Sequence, residues 1–297
     1  MDGAGGKRGW AWIFILEGLI TVVFGVASFW FVYDFPNEAT FLSDEDRARV
    51  IRRLRADKQS SAHDERFSWV CLWSALADWK MWLGMAIYMG TTVPLYAFSI
   101  FLPSIIRDLG LGETVVQAQL YSVPPYVAAA ILTVIVGWLA DRTRTRGVYN
   151  LASSLLGSAG FVMLLATDHP GVQYAGTFLG ALGIYPCISN TITWMANNIE
   201  GVYRRGIVLG FVIGWGNLNG IISSNIYFSP PAYKEGHGIV LAFLLVFLSG
   251  GSLLMTILLR IENRRRAQGK RDCWVEGKSE REISEMGDRR PDFFYTT

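Results

Sequence analysis

Gly137-Trp138-Leu139-Ala140-Asp141-Arg142-Thr143-Arg144-Thr145-Arg146-Gly147 joins two long apolar runs, Tyr121–Leu139 and Val148–Ala166. Two bilayer-length runs joined by a short Arg-rich turn make a membrane hairpin whose turn faces the cytosol. Gly137 has no side chain, so another helix can approach there. Asp141 stands at the membrane edge, where a carboxylate can meet an arginine or a helix N-terminus.

The rest of the chain fits that hairpin. Of its 297 residues, 51% are hydrophobic and 18% charged, and the apolar residues fall in blocks. Such blocks exclude an ordinary soluble domain. Seven spans are expected: Trp10–Tyr33, Met81–Phe101, Tyr121–Leu139, Val148–Ala166, Val172–Asn190 running on toward Met195, Ile207–Phe228 and Ile239–Leu259. Pro94, Pro124, Pro125 and Pro186 interrupt them, and bilayer helices tolerate this where neighbours satisfy the freed backbone. The fold class is thus an all-α membrane protein.

Twenty-three of the 27 Lys and Arg residues lie in residues 34–80, 141–147, 196–206 and the tail from Arg260; Lys7, Arg8, Arg107 and Lys234 make up the other set. The richer set is expected in the cytosol, with the N-terminus outside and the C-terminus inside. Because the basic charge alternates with spans, no nucleic-acid partner is expected. Ser43, followed by Asp44, Glu45 and Asp46, opens a short helix with Val50, Ile51 and Leu54 on one stripe. Such a helix can lie on the inner membrane face or in solvent.

Cys71, Cys187 and Cys273 form no paired framework, and His63, His169 and His237 are expected as solvated loop residues. No phosphate loop, metal motif or nucleophile motif is present, so neither enzyme activity nor a cofactor or metal is expected. Residues 261–297 are charged and without periodicity, and are expected to be disordered.

Residues 34–80 are too long to join neighbouring helices of one bundle, and so divide a lone first helix from a six-helix unit. At this point the chain resembles the major facilitator superfamily. Its members have two six-helix halves and a G-x-x-x-D-[RK]-x-x-x-[RK] turn. Gly137, Asp141, Arg142 and Arg146 match that turn, with Thr145 where glycine is usual. Gly9–Gly18, Trp194–Asn198, Arg204-Arg205-Gly206 and Gly214–Gly220 further resemble the fungal anion:cation symporter branch, of allantoate, nicotinate and pantothenate permease type.

The resemblance implies the following division. Residues 1–33 hold the last helix of the N-terminal half, 34–80 a cytosolic loop, 81–260 the C-terminal six-helix bundle and 261–297 the tail. Five helices of such a carrier would then be absent, as in a truncated chain. It implies secondary, proton-coupled uptake of a small organic anion across the plasma membrane by rocking of two halves, with Gly137, Asp141, Arg142 and Arg146 as a gating turn. A seven-span receptor, or a regulatory fragment that pairs with a full-length relative, are the other readings.

Small and polar residues recur along one stripe at Gly176, Gly180, Gly183, Cys187, Asn190 and Trp194, and along another at Gly210, Gly214, Asn217, Ile221 and Ser224. Such stripes let helices approach closely. Buried amides cost roughly 1–3 kcal/mol each when unpaired, so Asn190, Asn217 and Asn219 need a neighbouring helix or a wet cavity. Trp194 suits a membrane belt or a flat substrate. Tyr88, Thr92 and Tyr96 share a face at i, i+4 and i+8. These seven residues are the candidate substrate-cavity set, and Arg204 and Arg205 are a candidate loop basic pair. The later spans hold no charge near their middle, which leaves Glu17 as the local candidate for proton coupling.

Overall fold

The computed structural model describes residues 3–33, 36–56, 69–111, 114–228, 233–279, 282–283 and 286–297. His63 lies outside them. The chain divides into two compact units, Met1–Ser61 and Ala62–Thr297.

The first unit holds α1 (Gly9–Phe31) and α2 (Asp44–Ala56). At 1.5 Å per residue, the 23 residues of α1 are long enough for a bilayer core of about 30 Å. None of them is buried. Glu17 is exposed on this helix. At α2, Ser43 Oγ accepts from the Asp46 N–H at 3.2 Å and donates to the Asp46 carboxylate at 2.8 Å. Val50, Ile51 and Leu54 are half-buried, while Arg49, Arg52 and Arg53 are exposed.

The second unit is a helical bundle: α3 (Trp69–Leu76), α4 (Trp79–Asp108), α5 (Val115–Thr143), α6 (Arg146–Ala166), α7 (Pro170–Asn197), α8 (Val202–Ser223) and α9 (Lys234–Ala267). Local chemistry sets the ends. Asp78 caps α4, Thr114 and Gln117 form a capping box on α5, and Pro170 occupies the first turn of α7. Arg144, at φ 53°, turns the chain from α5 to α6 in the left-handed region. α4, α5 and α7 run on through Pro94, Pro124, Pro125 and Pro186. Residues Phe243–Gly250 of α9 form a π-helical stretch. There α4 comes close, and a Cβ on Gly90 would run into the backbone of Leu248.

α7 packs along α6 and α5 and also meets α4, whereas α8 packs chiefly on α4. The core between them is filled by Trp194, Phe98, Phe161, Met81, Ile87 and Ile184.

Three expectations need correction. Among the described residues, six helices, not seven, are long and apolar enough to cross a membrane. The missing one, α7, has the length at 28 residues but not the hydropathy, because glycine, threonine and asparagine line its buried stripe. His237 is not a solvated loop residue. It lies buried in α9, with its Nδ1 2.9 Å from the Tyr227 hydroxyl.

The tail, expected to be disordered, folds back on the bundle. Buried Arg266 donates to the carbonyls of Asp288 at 3.0 Å and Arg290 at 3.1 Å, and to that of Phe293. Asn263 exchanges two 2.8 Å bonds with the Tyr295 backbone. Composition concealed this because the contacts are polar and long-range, and periodicity reports only apolar local pattern.

Candidate functional site

The α5–α6 turn positions the first group. Arg146 is buried. It donates to Asn190 Oδ1 at 2.9 Å and forms an ion pair with Asp141. Asn190 Nδ2 donates in return to the Arg146 carbonyl and to Asn150 Oδ1, each at 2.8 Å. Asn150 then donates to Thr191 Oγ1 at 2.9 Å. The Asn190 amide thus ties α6 to α7. The Asp141 side chain stays 70% exposed, so it can meet a further partner. Arg142 is exposed and stacks over Trp138 at 5.4 Å. A Cβ at Gly137 would meet nothing within 4 Å, so no described residue makes the close approach expected there.

Trp194 is fully buried, neither belt residue nor platform. It lies against Gly147, and its indole N–H donates to the Thr296 carbonyl at 2.8 Å. Arg204 and Arg205 are not loop residues but open α8. Arg204 forms ion pairs with Asp78 and Asp288, and Lys80 binds the same two carboxylates at 2.9 Å. Arg205 Nε donates to the Ile199 carbonyl at 3.0 Å. Burial pushes Asp288 upward, but Lys80 and Arg204 outweigh it and hold its carboxyl below the ordinary carboxylate range.

The remaining candidates meet on one seam. Tyr88 and Thr92 are buried against α8, where Gly216 leaves room for the Tyr88 ring. Asn219 Nδ2 donates to Thr92 Oγ1 at 3.2 Å. Two turns from Tyr88, the Tyr96 hydroxyl donates to Asn217 Oδ1 at 2.9 Å, in a partly open position.

Sequence reading missed a second polar group. Ser99 of α4 lies 2.8 Å, hydroxyl to hydroxyl, from Tyr185 of α7, whose ring stands edge-on to Tyr126 of α5 at 5.6 Å. Tyr126 directly follows Pro124-Pro125 and Tyr185 directly precedes Pro186. A hydroxyl beside an intrahelical proline was the available signal.

Four helices thus present neutral hydroxyls and an amide at partly open positions. Such groups both donate and accept, so they can orient a carboxylate or a ring nitrogen without fixing charge. Among the described residues, no group of three or more His, Cys, Asp or Glu is arranged to hold a metal.

Comparisons with known proteins accord with this architecture. The family model for the Major Facilitator Superfamily matches residues 3–224. An uncharacterized transporter of Schizosaccharomyces pombe is 34% identical over 281 residues, which cover 93% of this chain and 57% of that protein. The MFS transporter prlL of a fungal species is 33% identical, covering 89% and 54%. The high-affinity nicotinic acid transporter of Saccharomyces cerevisiae is 27% identical, covering 98% and 54%. The chain spans a little over half the length of these relatives.

Proposed function

The chain belongs to the major facilitator superfamily, a family of transporters rather than enzymes, and we propose that it forms the C-terminal part of a secondary carrier for a small organic anion of nicotinate-like chemistry. In this reading α4–α9 are the C-terminal half and α1 is the last helix of the N-terminal half. The protein is multi-pass in the plasma membrane, with its C-terminus in the cytosol.

One observation carries the reading: Tyr96–Asn217 and Ser99–Tyr185 stand partly open on helices otherwise faced with apolar side chains. Lipid offers no partner for the donors and acceptors that these pairs leave over, so a wet path accounts for them best. The nicotinic acid transporter among the relatives supports a flat carboxylate as substrate. This bundle supplies neutral hydrogen bonds, and the opposing half supplies the charge for proton coupling and anion capture. The mechanism is rocking of the two halves about the midplane. The exposed Asp141 carboxylate, oriented by Arg146, closes the cytosolic side against that other half, with Arg142 beside it.

Uptake of labelled nicotinate in yeast that lacks its own carrier tests this. The 297-residue chain alone gives no uptake. Co-expression with an N-terminal half from the nicotinic acid transporter restores it, and Tyr96→Phe with Asn217→Ala abolishes the restored uptake. Flux through the chain alone, or restored flux indifferent to the double substitution, would overturn the reading.

A further inference from the structure

A cavity of about 580 Å3 opens where α4 begins, α9 ends and the tail folds back. Five basic and two acidic side chains line it. Most of that charge is committed. Lys80 is held by Asp78 and Asp288, and Arg266 by the tail carbonyls. Arg271 binds Glu262 through two hydrogen bonds of 2.8 and 2.6 Å and stacks on Trp274. Two guanidinium groups remain. Arg265 is 54% exposed and only 3.9 Å from the already shared Glu262. Arg289 is exposed, and its side chain makes no hydrogen bond or ion pair to a described residue.

The apolar side of the cavity is equally specific. Leu258 and Ile261 line it, and Leu254 and Ile257 continue the same face of α9 beyond it at helical spacing; the four are 37%, 40%, 49% and 46% exposed. One turn beyond Ile261 the same face carries Arg265. Trp79 and Trp274 line the cavity at that level, and both are exposed, as indoles are at a bilayer–water boundary. A greasy track ending in exposed guanidinium groups between indoles matches a lipid with an anionic head.

We propose that this cavity binds one anionic phospholipid: its phosphate on Arg265 and Arg289, its glycerol against Trp79 and Trp274, an acyl chain along Leu254–Ile261. A free phosphate would use the guanidinium groups and leave the apolar track unfilled. The site rests on the membrane reading of α9 and is independent of what the bundle transports.

The test uses the full chain, purified in neutral detergent and examined by native mass spectrometry. It is titrated with dioleoyl phosphatidic acid, dioleoyl phosphatidylcholine or glycerol 3-phosphate. One phosphatidic acid per chain is retained where phosphatidylcholine is not. R265Q/R289Q weakens that retention roughly thirtyfold. R289E alone weakens it in the same direction, and R264Q, one residue outside the lining, leaves it unchanged. Because the Arg289 side chain is exposed and pairs with no described residue, R289E keeps the unfolding temperature of the parent and reports on binding even if the double variant is unstable. Equal retention of phosphatidylcholine, retention unaltered by R289E, or displacement by equimolar glycerol 3-phosphate would each overturn the proposal. The last would make it a soluble-phosphate site.

Discussion

Along α7, Gly176 and Gly183 lie against the α6 backbone at Gly160 and Gly157, and Gly180 lies against the rings of Phe98 and Phe161; along α8, Gly206, Gly210 and Gly214 meet nothing within 4 Å of an added Cβ. The two helices carry the same spacing of small residues ending in amides. On α7 the stripe meets reciprocal glycines on α6, so backbones touch and Asn190 is consumed by Arg146 and Asn150. On α8 the stripe is open, and among the described residues Asn217 at its border is shared only with Tyr96. A row of small residues thus announces that something can come close. It does not say whether that something lies in the same chain.

The closed side extends beyond α7. Trp194 and Asn198 both donate to Thr296, at 2.8 and 2.9 Å, and Asp288 anchors the same segment between Lys80 and Arg204. Asp288→Asn should therefore have the largest effect. Removing one partner of a buried charge cluster costs about 3–5 kcal/mol, read by thermal unfolding in detergent and by faster proteolysis of residues 286–297. Acid should do the same to the parent protein. Because the folded carboxyl is held below its ordinary value, its stabilisation is complete above about pH 4. It is lost as pH falls through the folded value, so the tail is released on the acid side.

Gly183→Leu comes next. Its side chain would be driven into Gly157, a cost of about 3 kcal/mol at the upper end of overpacking. The matching Gly214→Leu on α8 should change stability by no more than about 0.5 kcal/mol. Equal losses from the two would mean that α8 is covered within this chain, and the contrast would collapse. Asn190→Ala should cost about 1–3 kcal/mol, since it leaves Arg146 and Asn150 short of partners in a buried place. Asn217→Ala is the smallest change, within about 0.5 kcal/mol in the same melting experiment. A large loss at Asn217 would move it from open face to structural seam.

Much of this was legible beforehand. Span positions, the Asp141–Arg146 turn and the Ser43 start of α2 all follow from local spacing. Tyr88, Thr92 and Tyr96 do share the face that meets α8, because i, i+4 and i+8 coincide on any straight helix. What failed were assignments that depend on a partner. Asn190 and Trp194 carry the residue types of a cavity, yet both are buried in seams. Arg204 sits beside a polar loop, yet its ion partners Asp78 and Asp288 are 126 and 84 residues away. Tyr126 and Tyr185 went unnoticed because each sits alone within an apolar run, and they meet only when α5 and α7 pack together.

The sequence by itself determined that the chain is built of bilayer-length helices, where along the chain they lie, and which side chains share a stripe. These depend on hydrophobic length, capping and the 3.6-residue repeat, all of which act within a few turns. Only the tertiary structure decided which stripe is filled and which is open, which amide is satisfied by a neighbour, and that a charged tail is anchored. Those outcomes depend on whether another helix or a distant guanidinium arrives within about 3 Å, and no local pattern encodes that.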